Sequence, residues 1–174
     1  WCKKNNIEFY CLEDMLLSDI ESDNGLNPNK KKPYVVFTPF MKNLKKYDVR
    51  EVNTKNVKGS NISIKTNNSI DIEKLGKYYE ENENRHVIGS RKEGIKILKN
   101  IKSFNSYDKD RSNLSYSTTN LSAYINLGLL SIREIYYTFR EKLGKDWGLI
   151  SELYWRDFYY NILYHFPKVI GKSS

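Results

Sequence analysis

Residues 147–166, WGLISELYWRDFYYNILYHF, are the clearest indication of the fold, because eight of these 20 side chains are aromatic. Pro167 and Gly171 follow it, and because proline cannot continue a helix interior, we expect the segment to end there. Four of its residues recur at every fourth position: Ile150, Tyr154, Phe158 and Ile162. That spacing lies on one helix face, so the sequence predicts a long amphipathic helix with this stripe in a hydrophobic core.

A second face of the same predicted helix lies beside the stripe and carries Glu152, Trp155, Arg156 and Tyr159. Spacing alone leaves two interpretations open. In the first, Glu152 and Arg156 form an ion pair one helical turn apart on a solvated face, and Trp155 is half buried. In the second, the face is a ligand wall, with Trp155 stacked on a planar group and the charged side chains hydrogen-bonding around it. Because Glu152 and Trp155 lie off the stripe, removing either is expected to cost little stability.

Residues 117–122, STTNLS, precede an apolar helix that is predicted to start near Ala123. Free N–H groups at a helix N-terminus, together with hydroxyl groups, suit phosphate oxygens. The same residue types cap helices where no ligand is bound, so the sequence leaves both roles open.

The other predicted elements are shorter. Alternating β-prone residues predict a strand over residues 7–12. Thr38 as N-cap and Pro39 at the first helical position predict a helix that runs to Tyr47. The remaining expectations are a helix over roughly 89–103, a helix capped by Ser131, and a segment without regular structure over roughly 50–85. The fold class is therefore mainly α.

Composition narrows the class of protein. The 174 residues are 39% hydrophobic, 29% charged and 14% aromatic, which is too aromatic for a fully disordered chain. A net charge of +8 and a pI of about 9.3 indicate a polyanionic partner, nucleic acid before membrane. No apolar run approaches the roughly 18 residues of a membrane span. Cys2 and Cys11 make no disulfide framework and no signal peptide follows Trp1, so we expect an intracellular protein of cytoplasm or nucleus, not a secreted one.

The two histidines, His86 and His165, are far apart in the sequence. Neither stands at a cysteine or carboxylate spacing typical of a metal site, so we expect no metal, no zinc chemistry and no thiol catalysis. The sequence also has no glycine-rich phosphate loop.

Three ordered segments resemble the DNA photolyase and cryptochrome family, most closely the class I cyclobutane pyrimidine dimer photolyases. Residues 32–40, KPYVVFTPF, resemble the family's K-P-Y-x-V-F-T-P-F stretch. Residues 118–125, TTNLSAYI, with the glycine and the SIR at 131–133 that follow, resemble its T-S-R-L-S-x-Y-L … G … S-x-R segment. Residues 152–158, ELYWRDF, and then 164–167, YHFP, resemble its E-L-x-W-R-E/D-F segment and continuation.

The resemblance implies a division of the chain. In that family an α/β antenna domain is joined by a long linker to an all-helical FAD-binding domain. Residues 1–32 would be the C-terminal remnant of the antenna domain, with its short β segment. Residues 33–85 would be the interdomain linker with one helix, and residues 86–174 the first part of the FAD-binding domain. The chain is then expected to be truncated at both ends, with an incomplete FAD site, little of the antenna chromophore site, and a separately encoded C-terminal half as one candidate partner.

The resemblance also implies site residues. Six match cofactor contacts of the family: Tyr107, Thr118, Thr119, Leu121, Ser122 and Arg156. Tyr107 would lie near the FAD phosphates, the 118–122 segment would bind the pyrophosphate, and Arg156 would belong to the flavin pocket. Asn120 stands where the family has arginine, so the resemblance implies no charged contact at this position. Glu152 and Trp155 match the carboxylate and tryptophan that meet a flipped pyrimidine dimer.

The implied activity is light-driven repair of cyclobutane pyrimidine dimers in DNA by electron transfer from reduced FAD, a carbon–carbon lyase reaction. The implied partner is DNA that contains such dimers, and the fragment alone is expected to be inactive. Glu152 favours this branch, because (6-4) enzymes and animal cryptochromes typically have glutamine there. Two other functions stay open: a cryptochrome-type blue-light photoreceptor, and a basic helical binding protein without catalysis.

Overall fold

The computed structural model describes residues 1–10, 14–20, 22–53, 72–78, 80 and 82–171. Within these ranges the chain is mainly helical, with one two-stranded sheet. The α-helices are α1 (Phe37–Leu44), α2 (Ile72–Leu75), α3 (Arg91–Lys99), α4 (Tyr107–Asp110), α5 (Leu121–Asn126), α6 (Ile132–Lys142) and α7 (Gly148–His165). The strands are β1 (Leu26–Asn27) and β2 (Lys32–Pro33), which pair antiparallel. Turns of 3₁₀ helix cover Lys3–Asn5, Asp23–Gly25, Gly76–Tyr78, Ile101–Phe104 and Pro167–Val169.

The chain divides into two compact units. Residues 1–52 and 89–174 form the larger unit, and residues 53–88 form the smaller one. The smaller unit contains α2 and the 3₁₀ turn that follows it, so the expectation that residues 50–85 lack regular structure is wrong for 72–78. Glutamate, lysine and leucine favour a helical turn there, and Gly76 follows its end. Residues 54–71, 79 and 81 lie outside the described residues.

Helix α7 is the centre of the larger unit, and it confirms the helix predicted over 147–166. Three residues of the predicted stripe, Ile150, Tyr154 and Phe158, are buried, and Ile162 is partly buried against the same core. Leu149 and Leu153 on an adjoining face are buried as well. Because a helix that is apolar over so much of its circumference needs neighbours on several sides, α1, α4 and α6 all pack against it.

Helix α6 begins as predicted after Ser131, whose hydroxyl accepts a hydrogen bond from the Arg133 N–H at 3.3 Å. It then turns one apolar face to the core, with four large side chains buried: Ile132, Ile135, Tyr136 and Phe139. The Tyr136 and Tyr154 rings meet edge to face at 6.3 Å between centroids, which joins α6 to α7.

Helix α1 forms where the sequence predicted a helix, but it ends at Leu44, three residues before the predicted end at Tyr47, and the predicted N-cap, Thr38, is wrong. The helix begins at Phe37 after Val36, with no side-chain capping bond. A tertiary contact explains the earlier start, because the ring of Phe37, the first helical residue, is stacked on Trp155 of α7. Pro39 then falls at the third helical position, where the backbone lacks an intrahelical acceptor in any case.

The strand predicted over residues 7–12 is also wrong for residues 7–10, which belong to no sheet. Residues 11 and 12 lie outside the described residues. A strand needs a partner, and in the described ranges β1 and β2 pair only with each other. Ile7, Phe9 and Tyr10 are exposed, so their alternation reflects residue type and not a buried face.

Helix α3 lies within the helix predicted over 89–103 and is followed by a 3₁₀ turn. Gly94 brings α3 close to its neighbours, because a Cβ there would lie 2.9 Å from side-chain carbons of Leu130 and Tyr124. Gly94 therefore lets α3 pack closely against Tyr124 of α5. Helix α5 starts at Leu121, two residues before the predicted start.

Residues 14–18 form a strap that is hydrogen-bonded to a buried carboxylate of α7. Asp157 is only 1% exposed, and it accepts a hydrogen bond from the Leu17 N–H at 3.3 Å. It also accepts from the N–H and the hydroxyl of Ser18, at 2.9 Å each. Burial raises the pKa of Asp157 to about 6, although these hydrogen bonds and the charge of Arg156 oppose the rise.

Because the pKa of Asp157 is raised on folding, the free energy of unfolding should decrease as the pH rises. Its pKa is 3.8 when unfolded and about 6 when folded, so between these values the folded state holds a proton that the unfolded state has lost. Its contribution to the free energy of unfolding therefore falls as the pH rises, by roughly 3 kcal/mol across the window. Asp157→Asn should remove this slope, whereas Asp146→Asn at an exposed position should keep it.

Guanidinium unfolding of the three proteins at about pH 4 and about pH 7 measures this contribution. We expect the free energy of unfolding to fall more between these pH values in the wild type and in Asp146→Asn than in Asp157→Asn. Equal slopes in all three would mean that Asp157 does not titrate as a buried group.

Candidate functional site

A cavity of about 720 Å³ lies between the turn before α5, helix α6 and helix α7. Its volume is within the range of small-molecule sites. Much of its wall is apolar, formed by five side chains: Ile125, Ile135, Phe139, Leu149 and Leu153. Ile135 and Phe139 also belong to the core of α6, so the wall shares the rigidity of the fold.

Seven of the eight predicted site residues line this one cavity: Tyr107, Thr118, Thr119, Leu121, Ser122, Glu152 and Arg156. They come from three separate parts of the chain, namely α4, the start of α5 with the turn before it, and α7. The eighth, Trp155, does not line the cavity and packs against α1 instead. The fold therefore brings together three segments that only the resemblance had connected.

The turn before α5 presents hydroxyl groups, and one of them already has a local role. Thr119 Oγ1 accepts a hydrogen bond from the Leu121 N–H at 3.4 Å, which is a capping contact. Asn120 has a left-handed backbone, φ 53°, which asparagine tolerates, and makes no capping bond. Among the described residues, nothing hydrogen-bonds the hydroxyls of Thr118 and Ser122. These two remain available to a ligand.

Glu152 forms an ion pair at the cavity, with a partner that the sequence analysis did not name. Its Oε1 accepts from Nη1 of Arg111 at 2.9 Å, and both side chains are partly exposed. Tyr107 lies beside the pair. Burial raises the pKa of Tyr107, the charge of Glu152 raises it further, and Arg111 opposes both. The three side chains form one polar group at the cavity wall.

Arg156 does not pair with Glu152, so the predicted i,i+4 ion pair is not formed. Its Nη1 donates instead to the backbone oxygen of Met15 in the strap. Its guanidinium carbon lies 4.8 Å from the ring centroid of Tyr160, which also lines the cavity. The cation is thus held by a carbonyl and a ring, and neither of these neutralises its charge.

Trp155 has a larger packing role than its position beside the stripe suggested. Its ring is stacked on Phe37, with centroids 3.6 Å apart and planes at 8°. It also meets Phe158 edge to face at 5.7 Å and lies 5.6 Å from Tyr159. The half-buried state that the first interpretation required is confirmed, and the ring contacts favour a stabilising role that the sequence did not predict.

Two residues of the site were missed from the sequence: Tyr160, which lines the cavity, and Arg111, which pairs with the cavity residue Glu152. A signal existed for both. Arg111 follows Tyr107 by four residues and Tyr160 follows Arg156 by four, so each lies one helical turn from a predicted site residue. The identity of the ionic partner of Glu152 could not be read this way, because Arg111 and Glu152 are 41 positions apart.

In the part of the chain that the structure describes, no three His, Cys, Asp or Glu side chains are grouped so as to hold a metal ion. None of the helices there is both long and apolar enough to cross a membrane. Comparison of the chain with protein-family models, with curated proteins and with solved structures gives no match.

The packing of Trp155 yields a stability prediction. Trp155→Ala should lower the free energy of unfolding by about 2 kcal/mol, because a half-buried indole and one stacked pair are lost. Tyr164→Ala is the matched control, since that ring lies on the same helix but is 53% exposed. It should change stability by less than about 0.5 kcal/mol. Chemical denaturation of both variants tests this, and equal losses would contradict a special packing role for Trp155.

Proposed function

We propose that this chain carries part of the flavin-binding domain of a DNA photolyase, an enzyme that repairs cyclobutane pyrimidine dimers with light and reduced FAD. The observation that carries the proposal is the shared cavity. Residues 118–122 and 152–156 were matched to the family in separate motifs, and Thr118, Ser122, Glu152 and Arg156 all line one space of about 720 Å³. Segments that match by chance have no reason to meet in the fold.

The donor set of the cavity fits FAD. Thr118 and Ser122 offer phosphate oxygens two hydroxyls that no described residue hydrogen-bonds, and Arg156 offers a cation within the same cavity. The apolar wall suits a planar ring system. When bound and reduced, FAD would supply the light-driven electron transfer. The protein residues would hold the diphosphate, orient the ring and exclude water from it.

Glu152 and Trp155 are assigned to the damaged DNA. Photolyases must extrude the dimer from the duplex, because the cofactor cannot reach it inside the base stack. In this proposal the Glu152 carboxyl group hydrogen-bonds a carbonyl of the dimer as negative charge develops there. Trp155 is the platform for the extruded bases, and Phe37 backs one face of its ring. Arg111 pairs with Glu152.

The cofactor assignment predicts flavin binding that depends on the cavity. FAD should bind the chain saturably, and Ser122→Trp should weaken binding at least about tenfold, because an indole at that position fills space that the cofactor needs. Ser117→Trp is the control, since Ser117 is exposed in the same turn and does not line the cavity. Quenching of flavin fluorescence measures both. No saturable binding, or equal effects of the two variants, would contradict the assignment.

The DNA assignment has its own test. An oligonucleotide with one thymine dimer should bind the folded chain more tightly than the same sequence undamaged. Trp155→Ala should reduce that preference by about 1–3 kcal/mol, the contribution of one base–aromatic stack. It should hardly change binding of undamaged DNA, which depends on Lys and Arg at phosphates. Fluorescence anisotropy gives both affinities, and Tyr164→Ala serves as the control. A preference that survives in Trp155→Ala would remove this residue from the site.

A further inference from the structure

We propose that the strap, residues 14–18, positions the Arg156 guanidinium toward the cavity, and that Ser18 and Asp157 are the positioning residues. The orientation itself stands on contacts within the chain. Its consequence for FAD rests on the function proposed above.

The strap is fixed at both of its ends by side chains of the helical core. At one end, the carboxylate of Asp14 pairs with Arg133, which is 5% exposed on α6. At the other end, Asp157 takes the three hydrogen bonds from Leu17 and Ser18. A segment of five residues that is held at its first and last positions has little freedom between them.

Met15 lies between these two anchors, and its carbonyl oxygen is the acceptor for Arg156 Nη1. The Tyr160 ring provides a second contact, 4.8 Å from the guanidinium carbon. A guanidinium is planar and carries five N–H donors in a fixed fork, so one hydrogen bond and one ring contact suffice to set its plane. The donors that Met15 does not use are left for a ligand in the cavity that Arg156 lines.

A long side chain normally loses rotamer freedom when it binds a ligand, and this loss weakens the affinity. Arg156 has already lost much of that freedom to the strap. Asp157 is the residue next to Arg156, yet it acts through a segment about 140 positions away in sequence. Asp157 therefore binds the strap through hydrogen bonds, and the strap in turn binds Arg156.

The test uses two readouts. Side-chain NMR of arginine Nε–H groups reports the order of Arg156, and flavin fluorescence reports the affinity for FAD. Ser18→Ala removes one hydrogen bond to Asp157, and Ser18→Thr keeps a hydroxyl. Ser22→Ala is the control, because that hydroxyl bonds to Asp19 O at 2.7 Å within the same loop. Asp157→Asn is the stronger variant, since it replaces one acceptor oxygen with an N–H donor that faces the strap N–H groups.

We expect Ser18→Ala to lower the Arg156 order parameter and to weaken FAD binding about fivefold, the factor of one net hydrogen bond. Ser18→Thr should restore both, Ser22→Ala should change neither, and Asp157→Asn should exceed Ser18→Ala. If the Arg156 signal is unchanged in Ser18→Ala and Asp157→Asn, the positioning role is wrong. If the order parameter falls but the wild type does not bind FAD, the positioning role holds and the proposed cofactor is wrong.

Discussion

Helix α7 must be buried on several sides, and this constraint organises the larger unit. Its 18 residues carry apolar side chains around most of the circumference, so it has no single face that could be left to water. Phe40 of α1 meets Phe158 at 5.4 Å between ring centroids, and Tyr136 of α6 meets Tyr154. Helices from the first quarter and from the last third of the chain are thereby brought to the same core. The folded arrangement of the larger unit follows from covering this one helix.

The same constraint makes the candidate site rigid. Glu152 and Arg156 lie one turn apart on α7, Asp157 directly follows Arg156, and the neighbouring side chains of Leu153 and Phe158 are buried. Their backbone positions are therefore set by core packing. The three side chains differ in the groups that they contact. The partner of Glu152 is a guanidinium, and the partners of Arg156 are a carbonyl and an aromatic ring. The partners of Asp157 are two backbone N–H groups and a hydroxyl.

Much of this could be predicted from the sequence, and the reason is periodicity. Helix α7, its stripe and the Ser131 cap of α6 are local signals, and they were confirmed. The strand predicted over 7–12 is wrong for residues 7–10, because an alternating pattern does not show whether a partner strand exists. The role of Thr38 as N-cap failed because the contact between Phe37 and Trp155 decides where α1 begins. The strap and the Arg111–Glu152 pair join residues 140 and 41 positions apart, a distance over which no local pattern operates.

The central claim is that the turn before α5 and one face of α7 together form a flavin site. Titration of FAD into the isotope-labelled chain, followed by backbone NMR shifts, is the sharpest test, because one experiment reports on residues throughout the chain. The account predicts saturable shifts confined to the cavity, strongest at residues 118–123 and around Glu152 and Arg156. A second, smaller groove lies between the strap and the end of α7, lined by Leu16, Leu163 and Tyr164. Shifts centred there, or shifts that do not saturate, would contradict the claim.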